Sequence, residues 1–143
     1  MLAGQLALIV AALFTGAAFY INFAEQPARI DLEPRAFLSQ WRLAYARGYI
    51  MQATLAILGT MLGLFAWSLT ANLLWLVGAG LLFLNWPYTL LVIMPVNNLL
   101  KGIDPANAPP ESRALLQRWA SLHAVRTMLG LAATVIFLCA TMR

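Results

Sequence analysis

Residues 73–94 read LLWLVGAGLLFLNWPYTLLVIM, an uncharged apolar stretch that decides the class of this protein. About 20 such residues cross the ~30 Å hydrocarbon core of a bilayer as an α-helix. Three further stretches have similar length and character: residues 2–24, 49–69 and 119–142. Short connections make neighbouring helices antiparallel. The sequence therefore predicts an all-α integral membrane protein, an antiparallel four-helix bundle that forms one domain over residues 1–143.

The composition excludes a soluble globular domain. Of the 143 residues, 62% are hydrophobic and 10% are charged, whereas soluble domains carry roughly 25% charged residues. The first stretch lacks the positively charged start of a signal peptide and is longer than the apolar part of one. We therefore expect residues 2–24 to be retained as a membrane helix.

The cysteine and histidine counts exclude several kinds of redox and metal site. The chain has a single cysteine, Cys139, so it forms no internal disulfide and no C-x-x-C redox pair. His123 is the one histidine, which excludes bis-histidine haem ligation and a His/Cys zinc cluster within one chain. We therefore expect no metal site.

The distribution of basic residues predicts an orientation and argues against a nucleic-acid interface. The formal net charge is +4, and most basic residues fall in or beside the segments 25–48 and 95–118. They are Arg29, Arg35, Arg42, Arg47, Lys101, Arg113, Arg118 and Arg126. Basic residues concentrated in alternate loops mark the cytoplasmic side of a membrane protein. We expect both loops in the cytoplasm, both termini outside and no nucleic-acid partner.

Two helices are predicted to extend beyond the membrane. Glu33-Pro34 is typical of a helix start, because a proline in the first turn loses no hydrogen bond. Residues on a single helical face then lead into the second span: Phe37, Trp41, Ala44, Tyr45 and Gly48. The turn residues 107–110 precede Glu111-Ser112, which we expect to open the last helix.

The chain also carries the pattern of a duplicated helical hairpin. Residues 40–47 (QWRLAYAR) and 118–126 (RWASLHAVR) both read tryptophan, three residues, an aromatic ring or histidine, alanine and then arginine. We expect the helix before each segment to end near a proline, Pro27 or Pro95. Two parallel repeats would put the tyrosine of the first segment and the histidine of the second in corresponding places. Coincidence between two amphipathic helices is the alternative.

Polar residues converge on one half of the predicted bundle, and polar groups that face lipid are costly. They lie near the two basic loops, whereas the other half is nearly all Leu, Ala, Gly, Val and Phe. Their positions are Asn22, Glu25, Arg47, Gln52, Asn85, Tyr88, Thr89, Asn97, Trp119, His123 and Arg126. We expect a pocket in this cytoplasmic half, lined by Glu25, Tyr45, Gln52, Asn85, His123 and Arg126.

The start of the fourth span carries the most informative face. Trp119, His123, Arg126 and Gly130 share one side of a helix by their spacing. An arginine at that depth needs a carboxylate, amides or a bound anion, and Glu25 is the expected partner. A purely structural network, or side chains that reach up to the interface, is the alternative.

Proline and glycine positions give weaker signals. Pro87 removes an N–H inside the third span and kinks the helix, and Asn85 can pair with the carbonyl of Phe83 that this frees or face a cavity. Small residues in the other half predict close helix packing there, in preference to a dimer face. They are Gly16, Gly59, Gly63 and Gly78.

These segments resemble the anthrone oxygenase-like family of four-helix membrane proteins, whose bacterial members are mostly known as domains of unknown function. The matching segments are Glu25-Gln26-Pro27, residues 87–97, and Trp119-x3-His123-x2-Arg126, of which the last is the most specific. The resemblance covers nearly the whole chain. It implies a four-helix bundle, which we expect in a bacterial inner membrane. It also implies oxygenation of a polycyclic aromatic substrate to a quinone without metal, flavin or other cofactor.

The residues fit that implied activity. An anthrone reacts with O2 once a carbon-bound proton is lost, and histidine, with an ordinary pKa of about 6.5, suits the base. His123 or Glu25 is the expected base, and Arg126 or Arg47 is expected to stabilise the oxyanion. The other predicted ligand-binding residues include flat walls for a fused-ring molecule: Trp41, Tyr45, Gln52, Asn85, Tyr88 and Trp119.

A non-catalytic protein fits the same residues. It would be a bundle that binds an apolar ligand, or an accessory subunit of a larger membrane complex, and the sequence leaves homo-oligomers and partner membrane subunits open. The distinguishing feature is whether the polar residues line an open cavity or seal against one another. A transporter is disfavoured, because the spans lack ion-ligating carboxylates at the midplane.

Overall fold

Four long helices make up most of the protein. The structure, a computed structural model, describes residues 1–142, and the basic C-terminal residue Arg143 lies outside them. In chain order the helices are α1 (Leu2–Ile30), α2 (Pro34–Thr70), α3 (Leu73–Gly102) and α4 (Ser112–Thr141). Each is long and apolar enough to cross a membrane. The predicted all-α class is confirmed, and these helices make the chain an integral membrane protein.

The helices pack as a square in which each contacts its two neighbours along the perimeter. α1 lies diagonally opposite α3, and α2 lies diagonally opposite α4. Polar contacts tie antiparallel neighbours together, such as Trp86 Nε1, which donates to the carbonyl of Ala53 at 3.3 Å. The connections 31–33 and 103–111 lie at one end, which we name the two-loop end. The connection 71–72 lies at the opposite end, which we name the single-loop end.

Local sequence explains where the helices begin. α2 starts at Pro34 after an extended Glu33, and α4 starts at Ser112 after Glu111, as predicted. The tight connection between α2 and α3 places Ala71 in the left-handed region, with φ 56°. The Asn72 side chain then caps α3 by accepting a hydrogen bond from a backbone N–H of its first turn.

Two π-helical turns allow α1 and α3 to continue beyond the prolines near which we expected them to end. Ile21–Glu25 precedes Pro27, and Thr89–Ile93 precedes Pro95. In the first turn, Gln26 N–H donates to the carbonyl five residues back. A π turn holds an extra residue, so the helix accommodates the proline ring and its missing N–H without ending. The expectation that the helix ends near its proline was wrong for α3, which continues to Gly102, whereas α1 ends at Ile30, three residues after Pro27.

Pro87 interrupts α3 in a different way. The helix breaks at Leu84, between a segment that ends at Phe83 and one that starts at Asn85. Asn85 Nδ2 donates to the carbonyl of Leu82 at 3.1 Å, and not to that of Phe83. The side-chain oxygen of Asn85 therefore stays available for another partner.

The single-loop half closes tightly because glycines admit a large ring. A Cβ at Gly78 would lie 2.5 Å from the Phe137 ring, and one at Gly63 would lie 2.7 Å from it. Gly59 is buried as well. Gly16, by contrast, is exposed and a Cβ there would meet nothing within 4 Å, so its predicted packing role was wrong. The Phe137 ring thus fills the space between α2, α3 and α4 in this half of the bundle.

Candidate functional site

A cavity lies in the two-loop half, among all four helices. We name it the central cavity, and its volume is about 40 Å³. Seven of the predicted site residues line it: Glu25, Trp41, Tyr45, Gln52, Trp119, His123 and Arg126. Because one ordered water needs about 10–15 Å³ of such volume, the cavity has room for only a few small molecules.

Three predicted site residues lie elsewhere. Asn85 lines a smaller adjoining cavity of about 20 Å³, which we name the inner chamber. The Tyr88 hydroxyl donates to the carbonyl of Leu122 at 3.0 Å and lines neither cavity. Arg47 is exposed and also lies outside both linings. The structure therefore does not bring Arg47 and Tyr88 together with the other predicted residues.

A hydrogen-bond network with Asn22 fixes the proton on the imidazole of His123. Asn22 Nδ2 donates to the carbonyl of Ala120 at 2.9 Å, so the amide oxygen faces the other way. That oxygen lies 2.8 Å from His123 Nδ1 and accepts from the Thr127 hydroxyl at 2.8 Å. An amide oxygen only accepts, so Nδ1 must carry the proton. In the neutral ring Nε2 then holds the free lone pair.

The Arg126 guanidinium is buried without a counter-charge. The residue is 9% exposed, and within residues 1–142 it makes no hydrogen bond or ion pair. The guanidinium carbon lies 5.6 Å from the ring centroid of Phe14, in a cation–π contact. The predicted pairing with Glu25 was wrong. A buried cation without a partner is costly, which favours a bound anion beside it.

Glu25 instead belongs to a network at the mouth of the central cavity. Its Oε1 lies 2.8 Å from Arg29 Nη2, one helical turn away on the same face of α1. Gln40 Nε2 also donates to this oxygen, at 3.0 Å, and Arg29 donates to the side-chain oxygen of Gln40. Arg29 Nη1 donates to Gln26 at 2.6 Å. Because Arg29 lies only four residues from Glu25, it pairs with this carboxylate in preference to an arginine on another helix.

Aromatic rings form one side of the central cavity. Trp41 stacks on Tyr45 with ring centroids 4.9 Å apart and meets Trp119 edge-on at 5.9 Å. Trp119 stacks on His123 at 5.0 Å. Asn97, on α3, links α2 and α4: its side chain accepts a hydrogen bond from Trp119 Nε1 at 2.8 Å and donates one to the Tyr45 hydroxyl at 3.2 Å. The imidazole is thus held by stacking on one side and by an amide on the other.

Several buried polar atoms beside these groups have no hydrogen-bond partner among the described residues. They include both polar side-chain atoms of Gln52, the side-chain oxygen of Asn85, the hydroxyl of Thr89 and Nε of Arg126. An unpartnered buried donor or acceptor costs about 1–3 kcal/mol. Such groups usually contact ordered water or a ligand. Their clustering makes this part of the bundle the candidate binding site.

Sequence reasoning missed the importance of three side chains that it noted as polar. Asn22 orients His123, Asn97 links the tryptophan and tyrosine walls, and Thr89 lines both cavities. The signal for Asn22 was present, since it follows a long apolar run and lies one turn before Glu25. The pairing with His123 was not visible, because it joins residues 101 positions apart.

The arrangement suits the removal of a proton from a weak acid. His123 offers an unprotonated ring nitrogen in a largely apolar setting, and Arg126 offers an uncompensated positive charge. A carbon acid bound against the aromatic wall would lose its proton to the imidazole. The anion so formed would be stabilised by the cation without competition from water.

Comparison with known proteins identifies a family. A family model described as Anthrone oxygenase matches residues 41–136, which include the cavity-lining parts of α2, α3 and α4. No solved structure matches the chain.

Three curated relatives match nearly the whole chain. Anthrone oxygenase AgnL2 of Paecilomyces divaricatus is 27% identical, over 91% of this chain and 89% of the relative. Anthrone oxygenase tpcL of Aspergillus fumigatus is 30% identical, over 91% and 87%. Anthrone oxygenase dmxR16 of a Cryptosporiopsis species is 30% identical, over 92% and 84%. These matches confirm the resemblance seen in the sequence, and the chain belongs to the anthrone oxygenase family.

Proposed function

We propose that this protein oxidises an anthrone, or a closely related tricyclic ketone, to the corresponding quinone with molecular oxygen. The observation that carries the proposal is the His123 imidazole, held with its proton on Nδ1 and placed in one cavity with an unpaired Arg126. The names of the curated relatives supply the substrate class.

The proposed reaction needs one base and one anion site. The CH2 group of an anthrone, opposite its carbonyl, loses a proton to His123 Nε2, and the electron pair delocalises onto the carbonyl oxygen. Dioxygen adds to the resulting carbanion, and the peroxide formed is protonated to a hydroperoxide. Loss of water from that carbon leaves a second carbonyl. One anthrone and one O2 thus give one quinone and one water.

The remaining side chains have supporting roles in this proposal. Arg126 holds the negative oxygen of the enolate, which forms only as the proton leaves, so its contact contributes most in the transition state. Trp41, Tyr45 and Trp119 stack against the fused rings. Glu25 balances the charge of Arg29 at the mouth of the cavity, since its Oε1 is already occupied.

A tricyclic substrate requires the central cavity to widen. Ligand pockets usually measure about 300–1,000 Å³, whereas the central cavity measures about 40 Å³. The α2 wall includes Ala44 and Gly48, and a Cβ at Gly48 would meet nothing within 4 Å. Ala44 and Gly48 leave this part of the α2 wall free of bulky side chains, whereas Trp41, Tyr45 and Tyr49 fill the rest of it. We infer that the substrate enters the bundle here.

We propose the orientation that the basic residues indicate, with the two-loop end in the cytoplasm. Arg42 donates to the backbone carbonyls of Lys101 and Ile103, and Arg113 donates to that of Leu32 at 2.9 Å. These contacts hold the two connections against the bundle. The central cavity would then lie on the cytoplasmic side.

The decisive experiment compares the wild-type protein with His123→Ala in lipid nanodiscs. Oxygen uptake and quinone absorbance are followed after addition of anthrone. General acid–base catalysis contributes about 10²- to 10⁴-fold, so we expect turnover to fall at least 100-fold. Ser121→Ala is the matched control, because Ser121 is exposed and bonds only within α4; its turnover should stay within twofold of wild type.

Each alternative outcome has a clear meaning. If His123→Ala keeps wild-type turnover in correctly folded protein, the assignment of the base is wrong. If the wild-type protein binds anthrone without consuming oxygen, the non-catalytic ligand-binding protein replaces the oxygenase.

A further inference from the structure

Four polar side chains without full partners lie where the central cavity meets the inner chamber. Gln52 and Asn85 are each 1% exposed, Thr89 is 7% exposed and Arg126 is 9% exposed. Each has at least one buried polar atom with no partner among residues 1–142. We name these four residues the inner polar cluster. They come from α2, α3 and α4, so the fold and not a local turn assembles the cluster.

The inner chamber is a second and smaller cavity that shares part of its lining with the central cavity. The inner chamber measures about 20 Å³, and Thr89 and Arg126 line it as well as the central cavity. Ala53 and Ala56 also line the inner chamber, while Gln52 lines the central cavity beside them. A volume of this size holds one or two small molecules and no aromatic ring. Its occupant is therefore about as large as dioxygen or water.

We propose that the inner polar cluster binds dioxygen as it becomes reduced, holding the superoxide and then the peroxide formed from the substrate. The proposal rests on the proposed oxidation of an anthrone. Gln52 Nε2 and the Thr89 hydroxyl supply hydrogen-bond donors to the oxygen. The positive charge of Arg126, which contacts the enolate oxygen, stabilises the reduced oxygen through space. The unpartnered oxygen of Asn85 accepts the proton of a hydroperoxide.

The electron count explains why such a site is useful. Ground-state dioxygen has two unpaired electrons, so a closed-shell carbanion first gives it one electron and becomes a carbon radical. The superoxide and the radical then combine to form the carbon–oxygen bond. If superoxide leaves first, two carbon radicals join through a carbon–carbon bond and give a dimer. A site that retains superoxide beside the radical therefore decides between quinone and dimer.

Burying the unpartnered polar atoms of the inner polar cluster lowers the stability of the fold, and this effect gives a second test of the role of the cluster. Gln52 makes no side-chain hydrogen bond with the described residues, so Gln52→Leu removes two unpartnered polar atoms and breaks no hydrogen bond. Thr89→Val likewise removes an unpartnered hydroxyl with little change in shape. Neither change should lower the thermal midpoint of unfolding, because burying an apolar group there is easier than burying a lone polar one.

The experiment measures both products in nanodiscs. Wild type, Gln52→Leu and Thr89→Val are given anthrone under a series of oxygen concentrations, and quinone, carbon–carbon dimer and free superoxide are quantified. We expect each variant to raise the ratio of dimer to quinone at least tenfold and to release superoxide, with an unchanged or higher thermal midpoint. Thr60→Val is the matched control, since Thr60 lies outside both cavities and bonds to the carbonyl of Ala56.

The outcomes separate this inference from the proposed function. Wild-type product ratios in both Gln52→Leu and Thr89→Val overturn the inner polar cluster as an oxygen site but leave the oxygenase in place. A lower thermal midpoint with unchanged product ratios assigns the cluster to structural water instead. A wild-type protein that does not consume anthrone overturns both the proposed function and this inference.

Discussion

Replacing Asn22 with leucine tests whether the imidazole of His123 is held in one tautomer for catalysis. Asn22 makes three side-chain contacts: with His123 Nδ1 at 2.8 Å, with the Thr127 hydroxyl at 2.8 Å and with the carbonyl of Ala120 at 2.9 Å. Leucine fills a similar volume and makes none of them. Asn22 does not line the central cavity, so its replacement leaves the lining of the cavity unchanged.

The size of the effect follows from the change of charge on the ring. A hydrogen bond between neutral groups contributes about 1 kcal/mol, and one to a charged group contributes about 1.5–3 kcal/mol. The bond from Nδ1 to Asn22 therefore strengthens by about 0.5–2 kcal/mol as the ring takes up a proton. At about 1.4 kcal/mol per tenfold, kcat should fall about 2- to 30-fold. KM should change little, because the contact strengthens only after binding.

The assay follows quinone formation per folded molecule, with folding checked by thermal unfolding in detergent. Loss of three hydrogen bonds should also lower stability, by roughly 3 kcal/mol at about 1 kcal/mol each. Thr15→Val is the matched control, since Thr15 bonds Thr134 at 2.9 Å between the same two helices but lies outside the cavities. It should lose stability and keep kcat. Asn22→Asp keeps an oxygen acceptor for Nδ1 and should restore most of the rate.

Two results would refute this reasoning. If Asn22→Leu has a kcat within twofold of wild type, Nδ1 does not need its acceptor and the imidazole is not held for proton transfer. If Thr15→Val lowers kcat as much as Asn22→Leu does, general loosening between α1 and α4 explains both.

Two further predictions concern orientation and packing. In a Cys139→Ala background, single cysteines at Asn72 and Ala106 should react with an impermeant thiol reagent from opposite sides of the membrane; labelling from the same side would show the orientation to be wrong. Gly78→Ala should lower the thermal midpoint by an amount equivalent to about 1–3 kcal/mol, because its Cβ would lie 2.5 Å from the Phe137 ring; an unchanged midpoint would show that the ring moves aside freely.

The sequence predicts those features that follow from helical periodicity. The four spans, the starts of α2 and α4, and the shared face of Trp119, His123 and Arg126 all depend on local spacing, and the structure has them. Polar residues within apolar spans turn inward for a reason that holds whatever the neighbours are, since lipid offers them no hydrogen bonds. This is why most predicted cavity residues lie together.

Pairings between helices could not be predicted in the same way. Glu25 had several arginines within reach on different helices, and only the packed structure shows that Arg29 on the same face takes it. Arg47 lies one residue from the inward face of α2, and a turn of about 100° per residue carries it to the exposed side. A shift of one position along the helix thus decides whether the charge of an arginine lies in the cavity or on the surface.

The two π-helical turns could not be predicted from the sequence for a related reason. A proline in a helix ordinarily signals an end or a kink, and nothing in the local sequence announces that an extra residue precedes it. Yet the turn Ile21–Glu25 stands in the same relation to Pro27 as Thr89–Ile93 does to Pro95. Two rare features with the same offset from a proline, in helices diagonally opposite each other, favour the duplicated hairpin over coincidence.

A duplicated hairpin would explain how one cavity acquires different sides. Counted from the two tryptophans, positions on α2 correspond to positions on α4, and both sets line the central cavity. The corresponding pairs are Trp41 with Trp119, Tyr45 with His123, and Gly48 with Arg126. Identical repeats would offer a substrate the same groups twice and so no preferred orientation. The proposed base His123 and the cation Arg126 both come from α4, while α2 supplies aromatic rings and the small Gly48. A fused-ring molecule entering at Gly48 would therefore meet the reactive groups from one direction.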